Sequence, residues 1–203
     1  MRVMILCADY EPQWLRIPKY LLPCYNGMLF EDVLSKAPSG LVVSTNPVII
    51  TRTRQIFTPP HHEYISRAIS STMPLWRDYN VLLLGDAYYS PKDIQSILEP
   101  PGGLSVEFWG RECAELGYPQ GHIMAMAWRS GVKAIEDGLR RAARWCQLGW
   151  CPDNMHAIHN AILDFAPNDH IIAPARHNTL SADTASWYSL KEYKVWLANH
   201  KAS

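Results

Sequence analysis

A lysine set directly behind a proline, in the run RIPKYLLPCYNGMLFEDVL from Arg16 to Leu34, is the first place where residue type and position suggest chemistry. Pro18 fixes the backbone ahead of Lys19, and a lysine so placed can hold a mobile point charge against phosphate oxygens. A second place is the end of YNVLLLGD, where Asp86 follows Gly85 and leaves a hard oxygen donor at a strand terminus. A third is SADTASWYSLKEYKVWL, in which Asp183 precedes a helical pattern. Weaker groupings stand around these. His156 and His159 are three apart, a spacing at which two imidazoles can share a helix face and bind zinc, but the glutamate of an H-E-x-x-H motif is missing. His61, His62 and Glu63 read as a solvated helix start, and Arg140 with Arg144 as a solvated helix face. There is no G-x-S-x-G and no Walker loop, and no serine or cysteine has a base close by in sequence.

These residues need elements to carry them. RVMILCA is a near-continuous apolar run, as in a strand covered on both faces of a sheet. MLFEDVLSKA puts Leu29, Val33 and Leu34 on one side and stops before Pro38 and Gly40, which predicts a helix. GLVVST and PVIITR predict strands, HHEYISRAISS a helix, and NVLLLGD the clearest strand of the chain. In SPKDIQSIL, Ser90 is the expected N-cap, Pro91 the first helical residue, and Ile94, Ile97 and Leu98 the apolar stripe. LSVEFWG and HIMAMAWR predict two more strands, with helices expected at 131–145, 154–164 and 191–199. Strands alternating with helices predict an α/β fold with helices on both faces of the sheet. Ligands of such sheets gather at the carboxyl ends of the strands, so Asp9 and Asp86 are expected to face one crevice.

Bulk composition narrows the function. Lysine plus arginine and aspartate plus glutamate number 19 each, so no overall field draws the chain to duplex nucleic acid or an anionic membrane. No apolar run approaches the roughly 20 residues that cross a bilayer, and the opening MRVMILCADY reads as a buried strand rather than a signal peptide. Five cysteines without a C-x-x-C fit reduced thiols, hence a soluble cytoplasmic protein. Residues 1–203 are read as one domain.

The stretch IPKYLLPCYNGMLFEDVL resembles the signature of the nucleotidyltransferase superfamily, in which a strand and a Gly-rich loop lead to P-K-x-L-L-P, a turn with glycine, and a helix. Pro18, Lys19, Leu21, Leu22, Pro23, Gly27, Leu29 and Leu34 fall in step with it. YNVLLLGDAYYSPKDIQSIL resembles the superfamily's central strand, whose aspartate holds a divalent metal bridging the nucleotide phosphates. Asp183-Thr184 and the helix after them resemble its terminal D-x-D-T-x-x-D-y segment, and SVEFWGR and GHIMAMAWR its acceptor-side strands in phage and actinobacterial members. The resemblance is to MobA-like and sugar-nucleotidyltransferase-like proteins. It implies a Rossmann-like fold of the GT-A type, a mixed but mostly parallel sheet, with a nucleotide half over 1–100 and an acceptor half over 101–203, divided at EPPGG. It implies Lys19, Asp86 and Asp183 as catalytic residues, with Asp86 and Asp183 holding Mg²⁺ or Mn²⁺, hard ions that need only one or two carboxylates beside phosphates and water. Ala8, Asp9, Tyr10, Arg16, Lys19 and Gly85 would surround the nucleotide, and Glu107, Arg111 and His122 the acceptor.

One departure bears on the reaction. The superfamily loop runs A-x-G-x-G-x-R, and here CADYEPQWLRIPK has no glycine and carries Gln13-Trp14 where relatives read R-W. An arginine there neutralises the phosphate under attack. Glycosyl transfer attacks no phosphorus, and GT-A glycosyltransferases share the fold. The expected activity is therefore a metal-dependent glycosyltransferase using a nucleotide-sugar, with a small molecule or a modified nucleic-acid base, as in a phage genome, as acceptor. The alternatives are a nucleotidyltransferase acting on a triphosphate and a non-catalytic nucleotide-binding relative. For a phage-encoded chain the compartment would be the host cytoplasm.

Overall fold

The computed structural model describes residues 1–8, 17–24, 27–99, 105–111, 122–169, 176–187 and 190–200. Its centre is β1 (Arg2–Leu6), where Val3 and Ile5 face one apolar layer and Met4 and Leu6 the other. A strand buried on both faces has no polar side to show, which is why its sequence does not alternate. β1 pairs in parallel with β4 (Leu41–Val43) and with β6 (Tyr79–Leu84), and β4 carries the short parallel strand β5 (Ile56–Phe57) on its outer edge. On the other side β8 (His122–Arg129) runs antiparallel to β6 and to β7 (Val106–Arg111), and β9 (His177–Thr179) closes the edge parallel to β7. The seven strands lie in the order β5-β4-β1-β6-β8-β7-β9, so the sheet is mixed and mostly parallel, as expected. A two-stranded hairpin of β2 (Pro23–Cys24) and β3 (Gly27–Met28) stands apart from it.

Helices cover both faces. α1 (Leu29–Lys36), α2 (Pro47–Arg52) and α4 (Pro91–Leu98) pack on the layer that holds Ile5 and Leu83. α3 (Ile65–Ser71), α5 (Lys133–Gln147) and α6 (Met155–Leu163) pack on the layer that holds Met4 and Leu82. A third, smaller cluster joins Trp187, Tyr193 and Trp196, the last two from α7 (Leu190–His200), to Leu22, Cys24 and Leu29. No helix among the described residues is long and apolar enough to cross a membrane.

The run PVIITR is a helix, not the expected strand. Its β-branched residues suit a strand, but Asn46 accepts a hydrogen bond from the Val48 N–H and Pro47 occupies the first helical turn, a strong helix start. Burial then follows helical spacing, with Ile49 inside and Val48 and Ile50 exposed. The expected helices at 131–145, 154–164 and 191–199 appear as α5, α6 and α7 with ends shifted by one or two residues.

α5 and α6 approach so closely that a Cβ on Gly138 would sit 2.5 Å from Ile162 Cγ1 and 2.8 Å from its Cα. Gly138→Ala is therefore expected to lose about 1 to 2 kcal/mol of stability, overpacking outweighing the gain in helix propensity; urea unfolding measures it. On α6, His159 is fully buried against Phe108 at 4.8 Å between ring centroids and donates from Nδ1 to Asn160 Oδ1. Burial pushes its pKa down to about 4; the hydrogen bond to Asn160 opposes this, and the charges of His156 and His177 reinforce it. Between pH 6.5 and 4 the unfolded chain takes up this proton and the folded chain does not, so stability is expected to fall as pH drops through that window. Unfolding midpoints at pH 7 and pH 5 should differ less in His159→Leu than in the wild type.

Candidate active site

The carboxyl ends of β1, β4, β5, β6, β7 and β9 share one edge of the sheet, and the amino end of antiparallel β8 joins them there. Beyond β1, the Cys7 N–H donates to Val43 O and Cys7 O accepts from Ser44 Oγ, which ties the outgoing chain to β4. Beyond β6, the Gly85 N–H donates to Leu6 O at 2.8 Å. A Cβ at Gly85 would lie 2.4 Å from Cys7 Sγ. Close packing of β1 on β6 accounts for this glycine, expected among the nucleotide contacts, and Asp86 follows it at the edge.

Lys19 opens a single 3₁₀ turn, Lys19–Leu21, behind Pro18. Leu21 and Leu22 donate to Pro18 O and Lys19 O, Tyr20 buries in the main core, and Leu22 buries in the small cluster under α7. The Tyr193 hydroxyl donates to Pro23 O at 2.7 Å and fixes the end of the turn. Held this way, Lys19 places Nζ 4.0 Å from Asp86 Oδ2, with the lysine side chain 15% and the aspartate 32% exposed. A contact of this length and exposure is weak as a stabilising pair. It does leave an ammonium and a carboxylate facing the same space.

β6 and β8 separate just below that space. Their pairing stops at Leu83 and Ala125, although β8 begins three residues earlier at His122. The gap is filled by Tyr89, whose buried hydroxyl accepts from the Leu84 N–H at 2.9 Å and donates to Met124 O at 2.6 Å. Lys36 anchors the same loop, donating to Asp32 Oδ2 and Tyr89 O and lying 4.0 Å from the centre of the Tyr88 ring. On the far side of β8, a register shift between Trp109 and Gly110 brings Arg111 opposite His122. A Cβ on Gly110 would lie 2.1 Å from His122 O, so only glycine admits this approach. Burial lowers the His122 pKa to about 4; the Asp86 carboxylate opposes the shift, and the charges of Lys19 and Arg111 add to it. His122 is thus a neutral imidazole at pH 7 in the common field of Lys19, Asp86 and Arg111.

Asp183 lies exposed on a turn that is bound down at its neighbours. Asp93, in the first turn of α4, accepts from the hydroxyls of Ser90, Ser181 and Thr184 and from the Ser181 N–H. Burial alone would raise the Asp93 pKa, but these hydrogen bonds bring it below the usual carboxylate value. The Ser90 N–H donates to Thr184 Oγ1, and Tyr88 and Ala185 exchange two backbone hydrogen bonds of 2.8 Å. The turn bearing Asp183 is therefore fixed to the loop that follows Asp86.

Ala8 lines a cavity of about 240 Å³ at the ends of β1, β4 and β5, with Ser44, Thr45, Pro59, His62 and Glu63. Sequence reasoning did not connect those five residues, because they come from two loops that only the sheet brings together. Asp9, Tyr10 and Arg16 lie outside the described residues, as do Gln13 and Trp14. Glu107 does not join the group. It sits four residues before Arg111, roughly 13 Å down the strand, where it accepts from Asn178 Nδ2 and adds to the burial that raises the pKa of Tyr79.

Among the described residues, no cluster of three or more histidine, cysteine or acidic side chains can enclose a metal ion. A single edge carboxylate such as Asp86 fits only a hard ion that keeps water and completes its shell with phosphate oxygens, as Mg²⁺ does.

No family model and no curated protein matches the sequence. Solved structures do match the fold. Molybdopterin-guanine dinucleotide biosynthesis protein A from Archaeoglobus fulgidus is similar over 100% of both chains, with a TM-score of 0.66 and 11% identity. CMP:2-keto-3-deoxy-manno-octonic acid synthetase in complex with CTP is similar over 99% of this chain and 98% of its own, with a TM-score of 0.61 and 14% identity. The inositol-1-phosphate CTP transferase from T. maritima is similar over 96% and 93%, with a TM-score of 0.60 and 10% identity. At these identities the likeness shows the fold: the chain has the α/β fold of MobA-like nucleotidyltransferases.

Tyr89→Phe keeps the ring and removes the hydroxyl, leaving the Leu84 N–H and Met124 C=O buried without it. A loss of about 1 to 3 kcal/mol is expected, read from chemical denaturation. The variant is also expected to have a perturbed Asp86 to His122 spacing, visible in a crystal structure.

Proposed function

We propose that this protein is a nucleotidyltransferase, using a nucleoside triphosphate and releasing pyrophosphate. The observation that carries the reading is the convergence of Lys19 and Asp86, at 4.0 Å, on the edge where β1 and β6 lie side by side. In open α/β sheets this is the switch point, where the connections leave in opposite directions and ligands bind. The similar structures include a CMP:2-keto-3-deoxy-manno-octonic acid synthetase holding CTP and a CTP transferase. They favour nucleotidyl transfer over the glycosyl transfer that the altered loop suggested.

In this reading the 240 Å³ cavity beside Ala8 takes the base, and the phosphates run from it toward Asp86. Lys19 neutralises phosphate charge and is held close by its buried turn, so little reorganisation is needed as charge moves to the leaving pyrophosphate. Asp86, with Asp183 from the neighbouring turn, would hold Mg²⁺ or Mn²⁺, which when bound polarises the phosphates as a Lewis acid. The acceptor oxygen bonds to the α-phosphorus as the bond to the bridging oxygen breaks. Neutral His122 lies on the acceptor side of Asp86, where its ring can accept or donate a hydrogen bond without adding charge. The acceptor in this reading is a small molecule or a modified nucleic-acid base.

A ligand panel tests this. At one hundred times its Kd, a triphosphate with Mg²⁺ is expected to add about 2.7 kcal/mol, hence ~5–10 °C in Tm for a chain of this size. Asp86→Asn should abolish the metal-dependent part, and Lys19→Met should lower turnover by about 10²-fold or more. Stabilisation by a nucleotide-sugar with Mn²⁺, and by no triphosphate, would refute nucleotidyl transfer.

A further inference from the structure

We propose that Arg111 is the guanidinium that binds the triphosphate in this protein, in the place of the arginine its phosphate loop lacks; the inference rests on the nucleotidyl-transfer reading. The stretch between Cys7 and Lys19 contains no glycine and, although it carries Arg16 three residues on, has Gln13 at the position where an arginine is expected. One lysine beside one carboxylate leaves most of a triphosphate's charge unmatched, and a guanidinium is the side chain suited to bridging two phosphate oxygens at once.

The fold goes to some length to deliver Arg111 to this edge. Gly110 is placed where a Cβ would strike the backbone of His122, and the ladder between β7 and β8 slips at that point. A strand glycine and a bulge both weaken a sheet, and bulges beside active sites commonly re-aim a side chain. The slip puts Arg111 in register with His122, which is the residue of β8 nearest the edge. β7 lies two strand spacings from β6, roughly 10 Å, within the combined span of a long side chain and a polyphosphate. The Arg111 Nε atom is buried, so the fork is rooted in protein and not swept through solvent. Lys19, Asp86 and Arg111 are all near enough to the His122 ring to act on it electrostatically. Lys19 and Arg111 thus bring two cations to the sheet edge that carries Asp86.

This assignment differs from acceptor binding, the role that sequence resemblance gives Arg111, and the two separate in one set of measurements. Isothermal titration would be run with ATP, CTP, GTP and UTP, each with Mg²⁺, and with inorganic tripolyphosphate, on wild type, Arg111→Gln and Arg111→Lys. Arg111→Gln is expected to weaken the preferred triphosphate and tripolyphosphate alike, by about 10- to 100-fold. Arg111→Lys should recover charge but not the fork and fall between, and it keeps the test alive if the glutamine variant unfolds. Triphosphate and tripolyphosphate affinities unchanged in both variants would overturn the proposal and return Arg111 to the acceptor. A wild type that binds none of the triphosphates would remove the underlying nucleotidyl-transfer reading, and this inference with it.

Discussion

The hydroxyl of Tyr89 occupies the position in the ladder where β6 and β8 should have paired directly. Two antiparallel strands close their hydrogen bonds as far as sequence allows, because an unpaired buried N–H or C=O is costly. Inserting a phenol as both acceptor and donor satisfies those groups while keeping the backbones apart. Asp86 and His122 can then stand on separate strand ends with room between them. Lys36, Asp93 and the Tyr88–Ala185 bridge hold the same loop from three further directions, so the opening is a rigid feature of the sheet edge.

The charges at this edge are arranged in a definite order across the sheet. Lys19 comes from beyond β1, Asp86 from β6, His122 from β8 and Arg111 from β7. Burial holds the His122 imidazole neutral, and the charges of Lys19 and Arg111 act in the same direction while Asp86 opposes them. An imidazole kept neutral can sit against a polyphosphate path without competing with the cations, and it can still orient a second reactant.

Some of this was legible in the sequence because it is written locally. P-K-x-L-L-P is a short turn marked by its two prolines, with Tyr20 and Leu22 turned inward, and G-D follows a strand whose burial shows in its composition. What escaped depends on neighbours remote in the chain. Asp93 reads as the third helical residue behind a serine cap, but its grip on Ser181 and Thr184 spans about ninety residues. Gly110 is plainly a glycine, yet its necessity comes from the carbonyl of His122. β5 and β9 are two and three residues long, too short for any periodicity, and exist because a parallel neighbour offers hydrogen bonds. α2 was read as a strand because side-chain branching was weighed above the Asn-Pro start.

The small aromatic cluster beneath the lysine turn has a consequence for how the protein assembles. Leu22 packs with Trp187, Tyr193 and Trp196, side chains from a part of the chain far removed in sequence. β1, β4 and β6 can pair without that distant segment, whereas the Leu22 side of the lysine turn is covered only once α7 docks. Assembly of the sheet and final placement of Lys19 are thus separable events, the second waiting on the aromatic cover.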